Sequence, residues 1–168
     1  MNFPTVRLAQ LAMLIHSSEH WFSHFRQMKD PEAAEKMLTV TANDFWHYHF
    51  RPEKPSAYQP KTLGKTMVQG IIINSVVPML YAYGKIMNEP ADTQKAKEWL
   101  RAMLPERNMA TRLFEQEHWS PANALESQAI LELEKKYCEQ KRCLECNIGQ
   151  RMLSETIILP AGQSMNNS

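Results

Sequence analysis

The residues with the sharpest chemical meaning lie together near the C-terminal end. Cys138, Cys143 and Cys146 are the chain's 3 cysteines and form a C-x4-C-x2-C run, Tyr137-Cys-Glu-Gln-Lys-Arg-Cys-Leu-Glu-Cys-Asn-Ile-Gly149. A C-x2-C pair places two thiols on one knuckle turn, the arrangement that zinc sites and iron–sulfur clusters both use. Lys141 and Arg142 beside them favour thiolate, the form that binds metal. Four ligands complete a structural site, and the nearest histidine to supply the fourth is His118. The metal reading therefore takes Cys138, Cys143, Cys146 and His118 as ligands to zinc or to an iron–sulfur cluster. The alternative is three reduced thiols, at least one buried as a small hydrophobe. An odd count inside nine residues does not describe a secreted disulfide framework.

Basic residues surround the same run. Lys135, Lys136, Lys141, Arg142 and Arg151 against Glu139 and Glu145 leave a local charge of +3, five positive less two negative. Such a face can contact nucleic-acid phosphates, where affinity is electrostatic and salt-dependent; a solvated helix surface accounts for the same residues. The whole chain carries only +1, so binding driven by net charge is excluded and a local patch is required. Two histidine groups remain. His47 and His49 form an H-x-H amid aromatics, and His16, His20 and His24 would line one helix face; both are read as packing or polar-face residues. Arg7, Gln10, Asn74 and Gln128 are read as partly buried ties between helices first, and only second as a site. No nucleophile elbow, phosphate loop, dinucleotide fingerprint or paired-carboxylate signature occurs, which leaves a stand-alone enzyme without a convergent acid, base and nucleophile.

The elements that position these residues are helices. Hydrophobic content of 43% with 22% charge is globular, and only 5 glycines argue against a sheet with many tight turns. Leu8, Leu11, Ala12 and Ile15 recur at helical spacing after Thr5, a candidate cap. Trp21, Phe22, Phe25 and Met28 follow on a second helix, and Asp30-Pro31 opens a third. Asp44 to Phe50 is ambiguous, since Trp46, Tyr48 and Phe50 alternate as in a strand while Phe45 and His49 suit a helix. Pro52, Pro55 and Pro60 make 51–61 a loop. Leu63 to about Asn88 is apolar nearly all round, which places it in the middle of a bundle, and Pro78 predicts a kink by freeing the Asn74 carbonyl. A helix with Trp99, a short one capped by Asn108, and one starting at Ser120-Pro121 complete the chain. The fold expected is all-α, an irregular bundle of about six to eight helices around that central Pro-kinked helix. Residues 1–153 are taken as a single helical domain, and 154–168 as a flexible tail. The opening lacks the features of a signal peptide. The apolar run from Met67 to Leu80 is interrupted and shorter than the roughly 20 residues of a membrane span. The expected location is cytoplasmic, with no membrane contact.

Segments Asn2–Gln10, Leu63-Gly-Lys65, Ile72-Ile-Asn-Ser-Val-Val-Pro78, Tyr83-Gly84, Ser127–Leu131 and Tyr137–Gly149 stand in one order. Together they resemble the C-terminal part of an uncharacterised Bacteroidetes family of unknown function, over most of the chain up to about Leu153. The resemblance implies a longer protein whose N-terminal half is restriction-endonuclease-like, and hence a nuclease-like partner domain and nucleic acid as partners. That half has no counterpart here, and the abrupt start at Asn2-Phe-Pro suggests a truncated chain. The expected function is a non-catalytic helical accessory domain, nucleic-acid-associated and metal-stabilised at its C-terminus. The alternative is a protein-interaction or self-association module, suggested by the supply of aromatics and 11 methionines.

Overall fold

A computed structural model describes residues 3–116 and 119–157, without the side chains of 155–157. The architecture is an irregular all-α bundle with one small two-stranded ribbon. The elements are α1 (Pro4–Ser17), α2 (Trp21–Gln27), α3 (Pro31–Leu38), α4 (Asp44–His47), β1 (His49–Arg51), β2 (Lys54–Pro55), α5 (Lys65–Ile71), α6 (Val77–Ile86) and α7 (Pro90–Ala102). They are followed by α8 (Met109–Gln116), α9 (Ala124–Leu133) and α10 (Asn147–Ile157). Residues group into two compact units: 1–106 with 122–125, and 107–121 with 126–168.

In the first unit the central helix runs unbroken from Lys65 to Ile86, through α5, a π turn at Ile72–Val76, and α6. Pro78 lacks an amide and its ring crowds the carbonyl four residues back. The chain relieves this by widening one turn: the Val77 amide bonds to the Ile72 carbonyl, five residues back. The expected kink thus takes the form of a π turn. Its Val68, Ile72, Ile73, Val76, Val77 and Leu80 are buried, against Phe25, Ala34, Leu38, Ala96, Trp99 and Met103. By length and composition this 22-residue helix could cross a membrane, being longer than the 67–80 run suggested. Its buried residues make it the centre of the core.

Helices α6 and α7 pack closely because Gly84 has no side chain. A Cβ there would lie 2.5 Å from Thr93 Oγ1 and 2.8 Å from the Glu89 carbonyl. Asn88 turns the chain at φ 55°, in the left-handed region that Asn tolerates, and the Glu89 amide closes the helix end on the Gly84 carbonyl at 2.8 Å. Arg26 of α2 reaches buried Asp92 of α7 at 2.9 Å and lies over the Tyr83 ring at 4.3 Å. Asp30 caps α3 by accepting from the Ala33 amide at 2.9 Å, with Pro31 in the first turn.

Three local expectations change. Thr5 does not cap α1; it donates to the Phe50 carbonyl at 2.6 Å, fastening the helix to β1. The 44–50 segment is both of its readings in turn, one helical turn to His47 and then a strand from His49. The proline-bearing loop contains β2, and Thr41 pairs with Thr62 as a lone bridge.

The largest departure concerns α1. Leu8, Leu11 and Ile15, which identify it as a helix, are 66%, 50% and 66% exposed. The buried residues of α1 are Val6 and Gln10, with Leu14 packed against the core. The apolar stripe of this helix faces outward.

Candidate functional site

The second unit carries the cysteines. Asn108 and Thr111 cap α8 reciprocally, each side-chain oxygen accepting from the other's amide at 3.0 Å. Helix α9 starts at Ala124, later than Ser120-Pro121 suggested, and passes into a π turn over Glu134–Cys138. The chain reverses through Lys141, whose φ of 53° is left-handed and strained for a lysine. The Lys141 amide bonds to the Cys138 carbonyl at 3.0 Å and the Arg142 amide to the Tyr137 carbonyl at 2.8 Å. A 3-10 turn at Cys143–Glu145 then leads into α10, and the Cys146 amide bonds to the Cys143 carbonyl at 3.3 Å. The sequence therefore does form a knuckle.

Gly149, without an assigned role in the sequence reading, is what lets α10 close over it. A Cβ at 149 would overlap the Cys143 carbonyl oxygen and lie 3.1 Å from the Cys143 Cα. Any side chain there pushes α10 off the C-x2-C turn. A glycine three residues after the second cysteine of a C-x2-C pair was the available signal.

The three thiols are free; Cys138 and Cys143 are exposed and Cys146 is buried. Partial burial, then the nearby Cys146 and Cys143 and then Glu134, push the Cys138 thiol above its ordinary value. This corrects the expectation of thiolate at Cys138. Arg142 is occupied by Glu145, to which its guanidinium donates from two nitrogens, and its charge holds the Glu145 carboxyl below the usual range. The proposed fourth ligand, His118, lies outside the described residues. Among those described, no three His, Cys, Asp or Glu side chains gather into a group that could hold a metal ion.

The basic residues are divided. Lys136 is paired with Glu132 and Arg142 with Glu145. Lys135 and Lys141 are exposed, as is Arg151. Pairing removes two of the charges that a phosphate contact would use. The histidines do not assemble either. The α1 helix ends at Ser17 and α2 starts at Trp21, so His16, His20 and His24 do not share a helix. His49 stacks on Phe45 at 4.1 Å between ring centroids, and His47 meets Tyr58 at 5.5 Å.

The exposed stripe of α1 is the other candidate surface. Leu8, Leu11, Ala12 and Ile15 stand on one face, and all four are exposed. Arg7 and His16 are the helix's charged or titratable side chains, and no acidic residue interrupts it.

A family model described as "Protein of unknown function (DUF2851)" matches residues 1–109, which include α1 and most of the first unit and stop before the cysteines. No curated protein and no solved structure matches the chain.

Proposed function

The chain belongs to the DUF2851 family of proteins of unknown function, and from that premise we propose that it is a non-catalytic helical accessory module working through protein–protein contact at α1. The observation that carries this is the outward stripe Leu8, Leu11 and Ile15, half to two-thirds exposed on a helix whose polar Gln10 is buried. A helix normally turns its apolar stripe inward, and an apolar face left in water supports a docking role.

The occupant we favour is a second copy. The stripe is symmetric about the point between Leu11 and Ala12, so two α1 helices laid antiparallel set Leu8 against Ile15 and Leu11 against Ala12. The face carries no charge to repel its copy, and Ala12 permits close approach. A 14-residue helix is about 21 Å long, a small interface by the standards of stable dimers, so the association is weak and reversible. Light scattering across a concentration series tests this. The wild type should rise above the 19.5 kDa monomer mass, and Leu8→Lys with Ile15→Lys should hold the monomer. A wild-type monomer whose α1 still takes up an apolar dye would instead favour the nuclease-like partner domain as occupant. A monomer that binds no dye at α1 sinks the docking role.

A second reading places nucleic acid on the C-terminal segment, through Lys135, Lys141 and Arg151 with Lys136 and Arg142. Its support is the exposed ammonium groups of Lys135, on the π turn, and Lys141, on the knuckle, neither ion-paired among the described residues. Zinc or an iron–sulfur cluster at Cys138, Cys143, Cys146 and His118 belongs to the same reading. Elemental analysis of untagged protein, with a labelled-oligonucleotide shift at low salt, decides it: neither metal nor shift removes it.

A further inference from the structure

A cavity of about 230 Å³ in the first unit is lined by Phe3, Arg7, Gln10, Phe50, Gln59 and Lys61, among other residues. Lys61 is 5% exposed, an unusual place for an ammonium group that has no carboxylate beside it among the described residues. Its Nζ has two neutral partners, the Gln59 Oε1 at 3.4 Å and the Phe50 ring, 3.6 Å to the centroid. Burial alone moves its pKa, downward, and no acidic neighbour offsets it. The backbone around it is fixed on two sides. The Lys61 carbonyl accepts from the Ala42 amide at 3.1 Å and from buried Gln10 Nε2 at 3.0 Å. Arg7 is held in turn, its Nη1 donating to Gln10 Oε1 at 2.9 Å. Two cationic side chains thus meet one cavity whose described lining contains no carboxylate.

A buried, unpaired positive charge is costly and is normally matched by an anion. We propose that this cavity binds a phosphate group, with Lys61 and Arg7 supplying the charge and Gln10 holding both in place. A phosphate monoester carries about −1.5 to −2 at neutral pH and three strong acceptor oxygens, so it can match the Lys61 ammonium and still accept from Arg7; a single carboxylate offers fewer acceptors and less charge. The Phe3 and Phe50 rings, 4.8 Å apart between centroids, form the apolar wall. They also line a second cavity of about 330 Å³ that carries Arg51 and Lys54, room for the remainder of an ester. Every lining residue falls inside the family-matched span 1–109, so the site is independent of the cysteine knuckle; it takes Arg7 and Gln10 from α1 but none of the outward Leu8, Leu11 and Ile15.

The test is an NMR titration of the isotopically labelled full chain with inorganic phosphate, adenosine monophosphate, a short single-stranded oligonucleotide, and acetate. Saturable shifts should centre on the Gln10 side-chain amide and on the backbone amides of Lys61 and Thr62. Acetate should bind at least about tenfold more weakly than phosphate, and Lys61→Met should weaken phosphate by at least about tenfold while Lys85→Met changes nothing. An oligonucleotide about tenfold tighter than the mononucleotide identifies a nucleic-acid backbone as the source of the phosphate, and equal affinities identify a free ester. The proposal is overturned if no saturable shift appears by on the order of 10 mM, if the shifts fall on 135–151 instead, or if Lys61→Met binds as the wild type does. The wild-type shift map stands whether or not the variant folds.

Discussion

At the scale of single residues, Lys61 states the tension most clearly. Burial lowers its pKa from the ordinary 10.5, so the folded protein gives up this proton before the unfolded chain does. The unfolded state therefore binds more protons through the window just below 10.5, and the lysine makes stability rise with pH there. Below that window the charged amine is a standing cost to the fold. Lys61→Met should flatten the alkaline rise and leave the protein at least as stable at pH 7, read by chemical denaturation at several pH values; a marked loss at pH 7 would contradict it. The residue was not legible in sequence, because one lysine among 19 Lys and Arg carries no local mark of burial. The cysteines were legible as a knuckle, since C-x2-C constrains the local turn. What the spacing could not say is that Glu145 takes up Arg142 and that burial, with the neighbouring Cys146 and Cys143, raises the proton affinity of Cys138.

At the scale of elements, helix positions followed from periodicity and facing did not. The long central helix, the α3 cap and the Asn108 cap all emerge from local chemistry that needs no partner. The α1 stripe has the same periodicity as a core stripe, and which way it faces is decided by tertiary contacts: Thr5 to Phe50, Gln10 to Lys61. Pro78 shows the same division, with the disturbance readable and its relief by a π turn settled by the structure. The α6–α7 pair supplies a test at this scale. Gly84→Ala puts a methyl against the Thr93 amide and the Glu89 carbonyl, backbone atoms that cannot step aside. It should cost about 1–3 kcal/mol by overpacking, seen as a lower denaturation midpoint. The usual gain of helicity from Gly to Ala would show instead if the helices were not in close contact.

At the scale of the whole molecule, the family match covers residues 1–109, most of the first unit, and the cysteines lie outside it. The parts most conspicuous in sequence thus lie outside the matched span. Two compact units were not marked in the sequence, because Pro105 and the 117–123 stretch resemble other inter-helix turns. In the function we propose, α1 is the face through which the module meets a second copy. The most direct measurement is hydrogen exchange on the wild-type chain at low and high concentration. Exchange in 4–17 should slow as concentration rises, with little change elsewhere. Exchange in α1 that is independent of concentration would contradict this reading, most plainly if protection appeared instead along Leu144, Ile148 and Met152, another set of exposed apolar residues.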